Sequence, residues 1–203
     1  MAKRKKPEIK GLYYITHTDN IGSILTNGIL SHRQIEDRGI PYKAIYDAEI
    51  VSNRKLKTTP DGHSLWDFAN VYFQPRNPML YRVVHEKDAE NIVILGIQQR
   101  VLEIGGAYIT DGNAANNPTN FFSYKDGLRA ISENWSIINS EWWNSESKRR
   151  IMAECLVPGS IAADMIHTVY VPNLKAAEKV RAQIGAHNRC QGTTSRSIFI
   201  SRR

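Results

Sequence analysis

The most conspicuous chemical group in this chain is a glutamate set inside an apolar run. Ile151-Met152-Ala153-Glu154-Cys155-Leu156-Val157 reads as a strand stopped by Pro158 and Gly159. Alternation puts Glu154 on one face with Met152 and Leu156, opposite Ala153 and Cys155. A carboxylate there either meets water at a sheet rim or is retained for chemistry, because burying it unpaired is costly. His17 stands at the end of a strand, just before a helix start. The free N–H groups of such a start favour an anionic or polar ligand, although a histidine in that place, considered alone, is more often a cap or a packing residue. The third segment, Val71-Tyr72-Phe73-Gln74-Pro75-Arg76-Asn77-Pro78-Met79-Leu80-Tyr81, is a strand running into a turn forced by two prolines. Taken by itself it is a hairpin corner with Met79 and Leu80 in the core. Trp142 and Trp143, ahead of the glutamate strand, are suited either to stacking on an unpaired base or to the core.

These groups must be carried by regular elements, and the periodicities supply them. Gly11 to Thr16 is aromatic and β-branched, hence a strand. A helix capped by Thr18 or Asp19 follows, with Ile21, Ile24 and Leu25 on one face and Gly28 at its end. From Ser31 to Gly62 the chain is polar, dotted with Arg33, Arg38 and Arg54, and only Ala44 to Ser52 has helical character; it reads as a long functional loop region. Strands are expected at Asn70–Phe73, Asn91–Ile97, Ala107–Thr110, Ile151–Val157, Thr168–Val171 and Ser197–Ile200. Helices are expected at Tyr124–Asn139, where Leu128, Ile131, Trp135 and Ile138 keep the helical period, and at Leu174–Ile184. Strands and helices do not alternate regularly, which predicts a mixed α+β fold and not a doubly wound parallel sheet.

Composition narrows the function. The chain has 203 residues, 41% of them hydrophobic and 23% charged, the balance of a globular domain. No linker or repeat divides it, so residues 11–203 are read as one domain behind a basic tail, residues 1–10, that holds Lys3, Arg4, Lys5 and Lys6. No apolar run is long enough to span a bilayer, and the basic start is not followed by a signal core; a cytoplasmic protein with no membrane partner is expected. The two cysteines, Cys155 and Cys190, are too few for a disulfide framework, and no metal-binding spacing is present. Net charge is +7, and from Lys179 to Arg203 there are six Lys or Arg and no acid. Such clustering suits a polyanion, since each phosphate neutralised releases counterions, and it equally suits a solvated face. GxGxxG after a strand and GxxxxGK[ST] are both absent, which removes the two commonest phosphate-cradling loops.

The three chemical segments together carry a resemblance. His17-Thr18-Asp19-Asn20-Ile21-Gly22-Ser23-Ile24-Leu25-Thr26-Asn27-Gly28-Ile29 resembles the first motif of the PARP-like ADP-ribosyltransferases, and is nearest to the THxDNxxxIL form of the DarT toxins. Val71 to Tyr81 looks like that family's YFxPRxPMLY motif, Ile109-Thr110-Asp111-Gly112 like its next strand end, and Ala153-Glu154 like its catalytic strand. The resemblance implies a single-domain α+β fold with a split, mainly antiparallel mixed sheet and helices packed around it. It also implies NAD as co-substrate, no metal, and transfer of ADP-ribose to a base of single-stranded DNA.

Residue roles follow from the same match. Glu154 is the expected catalytic acid and Arg54, in Val51-Ser52-Asn53-Arg54-Lys55, the active-site arginine. His17, Thr18, Asn20, Gly28, Tyr72 and Met79 are expected to bind NAD, with His17 on the ribose and the nicotinamide amide. Arg76, Asn113, Trp142 and Trp143 are expected to contact the DNA. A carboxylate beneath the ribose stabilises the positive charge that develops as the nicotinamide bond breaks. An arginine can hold the pyrophosphate or polarise the target base. Where thymine-modifying relatives have an HDYVPFYF-like stretch, this chain has Leu65-Trp66-Asp67-Phe68-Ala69-Asn70-Val71-Tyr72-Phe73, so guanine is placed slightly ahead of thymine as the target. A toxin of this type implies an antitoxin with macrodomain or other ADP-ribosyl-hydrolase activity. The competing readings are transfer to RNA or protein, a fold-related RNA 2′-phosphotransferase, against which Glu154 argues, and a basic nucleic-acid-binding module without turnover.

Overall fold

The computed structural model describes residues 9, 11–46, 48–86, 89–191 and 199–202. β1 (Leu12–His17) passes through a 3-10 turn into α1 (Ile21–Asn27), and β2 (Ile29–Leu30), α2 (His32–Arg38) and α3 (Ala48–Lys55) follow. The middle of the chain holds β3 (Phe68–Tyr72), α4 (Pro78–Glu86), β4 (Ile92–Ile97), β5 (Tyr108–Thr110), β6 (Phe121–Phe122), α5 (Tyr124–Glu133) and α6 (Trp135–Ile138). The last third holds β7 (Glu154–Pro158), β8 (Ser160–Ile161), β9 (Ile166–Val171), α7 (Leu174–Gln191) and β10 (Phe199–Arg202).

Eight of these strands form one sheet in the order β10-β9-β4-β1-β3-β7-β5-β6. Every pairing is antiparallel except β10 with β9. β4 is buried at all six positions, as a strand covered on both faces must be. The centre of the sheet is unlike the rest. β1 pairs with β4 along its whole length, from Leu12 opposite Ile97 to His17 opposite Ile92, yet meets β3 only at Tyr13 opposite Tyr72. From that bridge, at the last residue of β3, the two strands diverge along the rest of their length, and the sheet is split into two halves. The short β2 and β8 make a separate antiparallel pair.

The largest core cluster joins β1, β3, β4, β7 and β9 to α1, α5 and α7, with Leu12, Val93, Leu95, Ile97, Ile131 and Val180 all but inaccessible to water. Ala176, Ala177 and Val180 are the buried residues of α7. Gln183 on the same helix accepts the N–H of Gly22 at 2.8 Å and donates to the carbonyl of Thr18 at 2.9 Å, tying α7 to the turn after β1. Gly127 lets α5 lie directly on β5, since a Cβ there would come 2.4 Å from Cβ of Ile109.

Several sequence expectations are adjusted. The helix expected from Tyr124 to Asn139 is broken at Asn134, whose side-chain amide donates to the carbonyl of Ala130 at 2.9 Å and competes with the helical ladder. The segment from Pro75 to Tyr81 is not a hairpin corner. Pro78 occupies the first turn of α4, and the side chain of Asn77 caps it by accepting the N–H groups of Met79 and Leu80 at 3.0 and 3.1 Å. The loop region after Ser31 opens with α2, capped by Ser31 on the N–H of Gln34 and ended by Gly39 at φ 60°. The helix expected at residues 44–52 is α3, displaced to Ala48–Lys55. The strand expected from Ile151 starts only at Glu154, because Arg150–Met152 form a 3-10 turn. Of the expected basic tail only residue 9 lies among the described residues, as do only 199 and 200 of the last expected strand.

Candidate active site

Glu154 is the first residue of β7 and lies between β3 and β5, opposite Tyr72 in register. It shares a face with Leu156, while Cys155 and Val157 point into the main core. Its side chain is not at a rim but buried, with no exposed surface. Three N–H groups answer its charge. Oε1 accepts the backbone N–H of Ala114 at 2.7 Å and Nη1 of Arg54 at 3.3 Å, and Oε2 accepts Nη2 of Arg54 at 3.3 Å. The arginine contacts are longer than the ~2.7–2.9 Å of a tight charge-assisted bond. Arg54 therefore covers the carboxylate loosely while Ala114 fixes its rotamer.

The backbone around Glu154 is anchored as well. Its N–H donates to the hydroxyl of buried Thr110 at 3.2 Å, and that hydroxyl lies 2.7 Å from the carbonyl of Gly112, to which it donates. The loop carrying Ala114 is held by Arg149, whose Nη1 reaches Oδ1 of Asp111 at 2.7 Å and Oγ1 of Thr119 at 3.2 Å. Arg149 also accepts the N–H of Asn113 on its own carbonyl at 3.1 Å. Burial works against the charge of Asp111, but the side chain and backbone N–H of Asn120, with Arg149, hold its carboxyl below the usual range.

Arg54 projects from the end of α3 into the cleft opened by the split sheet. Its own burial opposes its charge, and Glu154 and Tyr72 outweigh that and raise its pKa. Two cavities meet at this arginine. The inner one, about 90 Å³, lies between the diverging strands and is lined by Tyr14 and Thr16 of β1, Phe68 and Asn70 of β3, and His32, Tyr42, Lys43 and Tyr46 from the segment over it. The outer one, about 280 Å³, is bounded by Pro78, Met79, Arg82 and Val83 of α4, by Asn113 and Ala115, and by Lys148 and Met152. Ile45, Tyr46, Val51, Arg54, Tyr72 and Met79 line both, so the two form one cleft with a carboxylate behind its waist. Aromatic walls with Lys43 in the inner cavity and Arg54 at the waist suit flat rings joined by a pyrophosphate. Among the described residues no group of three or more His, Cys, Asp and Glu could hold a metal ion, and no helix is long and apolar enough to cross a membrane.

The aromatic wall is itself organised. His32 stacks on Trp66, with ring centroids 4.2 Å apart and planes 17° apart, and meets the edge of Tyr46 at 5.5 Å. The hydroxyl of Tyr46 donates to that of Tyr42 at 3.0 Å. Burial first, then the charge of Arg54, push the His32 imidazole down to about 4, so it is neutral at pH 7. Burial, with Tyr42 nearby, pushes Tyr14 up to about 12. Neither ring carries charge into the cleft.

Not every expected residue reaches that cleft. Arg54, Tyr72, Met79, Asn20 and Asn113 line it, and Glu154 lies behind Arg54. The hydroxyl of Tyr72 donates to Sδ of Met79 at 3.2 Å, which fixes the two as one wall. Asn20 acts through the backbone. Its amide accepts the N–H of Lys43 at 2.7 Å and donates to the Lys43 carbonyl at 2.9 Å and to Thr16 at 3.0 Å, which clamps the covering segment onto β1.

His17 does not line either cavity. Its buried imidazole caps the turn after β1, Nδ1 accepting the N–H of Asp19 at 3.0 Å. Thr18 is buried with its hydroxyl on the side-chain carbonyl of Asn91 at 3.2 Å. Gly28 answers a packing demand: φ is 80°, and a Cβ would come 2.4 Å from the Ile161 carbonyl across the β2–β8 pair. Arg76 is exposed and paired with Glu141 at 3.3 Å. Trp142 is 84% exposed, and Trp143 sets its edge against Tyr81 at 5.8 Å. Sequence reasoning missed His32, Tyr42, Lys43 and Tyr46. The one local signal was the Ser31 and Gly39 capping pair, which frames a helix beginning at His32.

A sheet split about one bridge, with a buried glutamate beside the opening, defines the ADP-ribosyltransferase class of fold. In agreement, the chain superposes on the Thermus sp. 2.9 DarT in complex with ADP-ribosylated ssDNA with a TM-score of 0.84, at 26% identity, covering 100% of this chain and 98% of that one. It superposes on the same DarT in complex with carba-NAD+ with a TM-score of 0.79, at 25% identity, covering 97% of each. Residues 13–198 match the family model described as ssDNA thymidine ADP-ribosyltransferase, DarT, and the chain belongs to that family. A curated relative from Thermosipho africanus, a DNA ADP-ribosyl transferase–DNA ADP-ribosyl glycohydrolase fusion protein, is 42% identical over 185 residues, 90% of this chain and 47% of the relative. The chain thus spans about half the length of that relative.

Proposed function

We propose that this chain takes NAD into the cleft between the half-sheets and transfers its ADP-ribose to a base of single-stranded DNA, releasing nicotinamide. The observation that carries the reading is the buried carboxylate of Glu154, held by Ala114 and Arg54 where the inner and outer cavities meet. In this reading the dinucleotide lies along the one cleft that the two cavities form, and the base enters at its outer mouth. Tyr72 and Met79 wall the nicotinamide. The glycosidic C–N bond breaks with its electron pair leaving on nicotinamide, and the positive charge that develops on the ribose is stabilised by Glu154. A base nitrogen then forms the new bond to the ribose carbon and gives up its proton. Arg54, reaching both cavities, is placed to polarise a carbonyl of that base and ease the proton's departure.

Guanine and thymine share a ring N–H beside a carbonyl, the arrangement such an arginine can exploit. The family description names thymidine, while Phe68, Ala69 and Asn70, from the stretch where this chain departs from the thymine-modifying pattern, line the inner cavity. Single-stranded DNA is preferred because the reacting edge is hidden in a base pair. Trp142, Trp143 and Arg76 are read as DNA contacts on the outer lip. A toxin role, with an antitoxin that hydrolyses the modification, is supported by the Thermosipho relative, whose name joins transferase and glycohydrolase in one chain.

Incubation with NAD and short oligonucleotides of single-base composition, read by intact mass, is the test. A gain of one ADP-ribose on one base type only is expected, abolished by Glu154→Gln with NAD binding retained. Gain on RNA or on the protein instead, or full activity of Glu154→Gln, refutes the assignment.

A further inference from the structure

On the far side of the single bridge, where β3 has ended at Tyr72, lies a second cavity. It measures about 260 Å³ and is lined by Gly11 and Tyr13 before and within β1, by Phe73, Gln74 and Pro75 after β3, and by Trp135 and Asn139 of α6 and its cap. Its volume falls just under the range of pockets for drug-sized ligands, so one flat ring fits and a dinucleotide does not. Two primary amides are among its lining. Gln74 is buried, its Oε1 accepting the N–H of Arg76 at 3.1 Å, while its Nε2 faces Oδ1 of Asn139 at 3.5 Å. That last contact is longer than the ~2.7–3.2 Å of a good bond, and each amide nitrogen carries two N–H donors. The site therefore offers amide donors beside Trp135.

Position supplies the second argument. This cavity and the outer cavity of the active site are bounded by the same two segments: Gln74 and Pro75 here are followed by Pro78 and Met79 there, and Asn139 here by Lys148 there. Pro78 follows Pro75 by three positions, at most ~11 Å of chain, a span covered by about three stacked nucleotides at ~3.4 Å each. On the surface between them stand Arg76, Glu141 and the Tyr81–Trp143 aromatic pair.

We propose that this cavity holds a second, unmodified nucleobase of the same strand, stacked on Trp135 and read at a ring carbonyl by the amides of Gln74 and Asn139. The inference rests on the single-strand reading above. It makes binding depend on one base a few nucleotides from the target, through residues that touch neither NAD nor the target base.

The test is equilibrium binding of a short fluorescein-labelled single strand in which one abasic site is walked along the sequence, without NAD, so that turnover is not required. In the parent one position away from the target is expected to cost about tenfold in Kd when its base is removed, the weight of one base–aromatic stack. In Trp135→Leu that penalty disappears, and in exposed Asn139→Ala, which leaves the core untouched, it shrinks to about threefold. Equal penalties in parent and both variants, or no sensitive position besides the target, overturn the proposal, and so does the absence of single-strand binding. A coupled abasic position together with no mass gain from NAD leaves this pocket standing and refutes the transferase reading alone.

Discussion

Replacing Arg54 by Met removes both side-chain hydrogen bonds to a carboxylate that is buried. Glu154 keeps only the N–H of Ala114. Breaking a buried pair by deleting one member typically costs about 3–5 kcal/mol, because the other charge is stranded. The two 3.3 Å contacts are not tight, which places the expected loss at the lower end, about 3 kcal/mol. For a chain of this size that is a fall of about 6–12 °C in Tm. The second half of the cycle is Arg54→Met with Glu154→Gln. A glutamine oxygen can still accept the N–H of Ala114, and no charge is left to strand, so the double variant is expected within about 1 kcal/mol of the parent although it carries one more substitution. Urea unfolding of parent, both single variants and the double variant at pH 7 measures this, with equal m-values as the check that all unfold alike. A coupling of about 2 kcal/mol or more is expected. If Arg54→Met is as stable as the parent, or if glutamine at 154 restores nothing, then the carboxylate is not held by this arginine and the account of the site is wrong.

Other outcomes follow from the same geometry. His32, neutral in the fold with its pKa near 4, takes a proton near 6.5 once unfolded. The stability it contributes is present above pH 6.5 and is lost as the pH falls towards 4, by up to about 3 kcal/mol; His32→Phe should flatten that acid limb in unfolding curves from pH 7 to 4, and an unchanged slope refutes the assignment. Asp111→Asn breaks the ion pair with Arg149 that steadies the loop bearing Ala114, and nicotinamide release should slow about tenfold or more with NAD affinity kept; unchanged turnover would mean the loop needs no such tether. Trp142→Ala, at a side chain almost wholly in solvent, should leave the melting curve within ~0.5 kcal/mol while single-strand affinity drops about fivefold or more. Equal affinity would remove Trp142 from the DNA contacts.

The parts of this fold that were legible in the sequence are those that bury a regular stripe. β1, β4 and β9 are rich in β-branched and aromatic residues, and α1 and α7 set small or aliphatic residues at the helical period. α2 was not legible because none of its residues is buried, so it carries no apolar period at all. α4 is hidden by the prolines that suggest a turn, one of which begins the helix. Glu154 stood out as a polar residue in an apolar strand, but only the three-dimensional path reveals that Arg54, a hundred positions earlier, lies on it. The aromatic wall of His32, Tyr42 and Tyr46 comes from the segment with the least periodicity, and its residues find the cleft through the Asn20–Lys43 clamp and not through any pattern of their own. Conversely, the first motif matched by its letters, yet His17 and Thr18 prove to brace the turn that presents Asn20.

The lone bridge between Tyr13 and Tyr72 has an energetic corollary. Along that seam the ladder of backbone hydrogen bonds that normally welds neighbouring strands is missing, and side chains alone keep β1 beside β3. A dinucleotide laid in the gap acts as a staple, touching β1 on one bank and β3 on the other. By mass action a ligand at a hundred times its dissociation constant adds about 2.7 kcal/mol to the folded state, and here that increment falls on the weakest join of the sheet. Amide protons flanking the seam should therefore be the first to gain protection from exchange when the nucleotide is added.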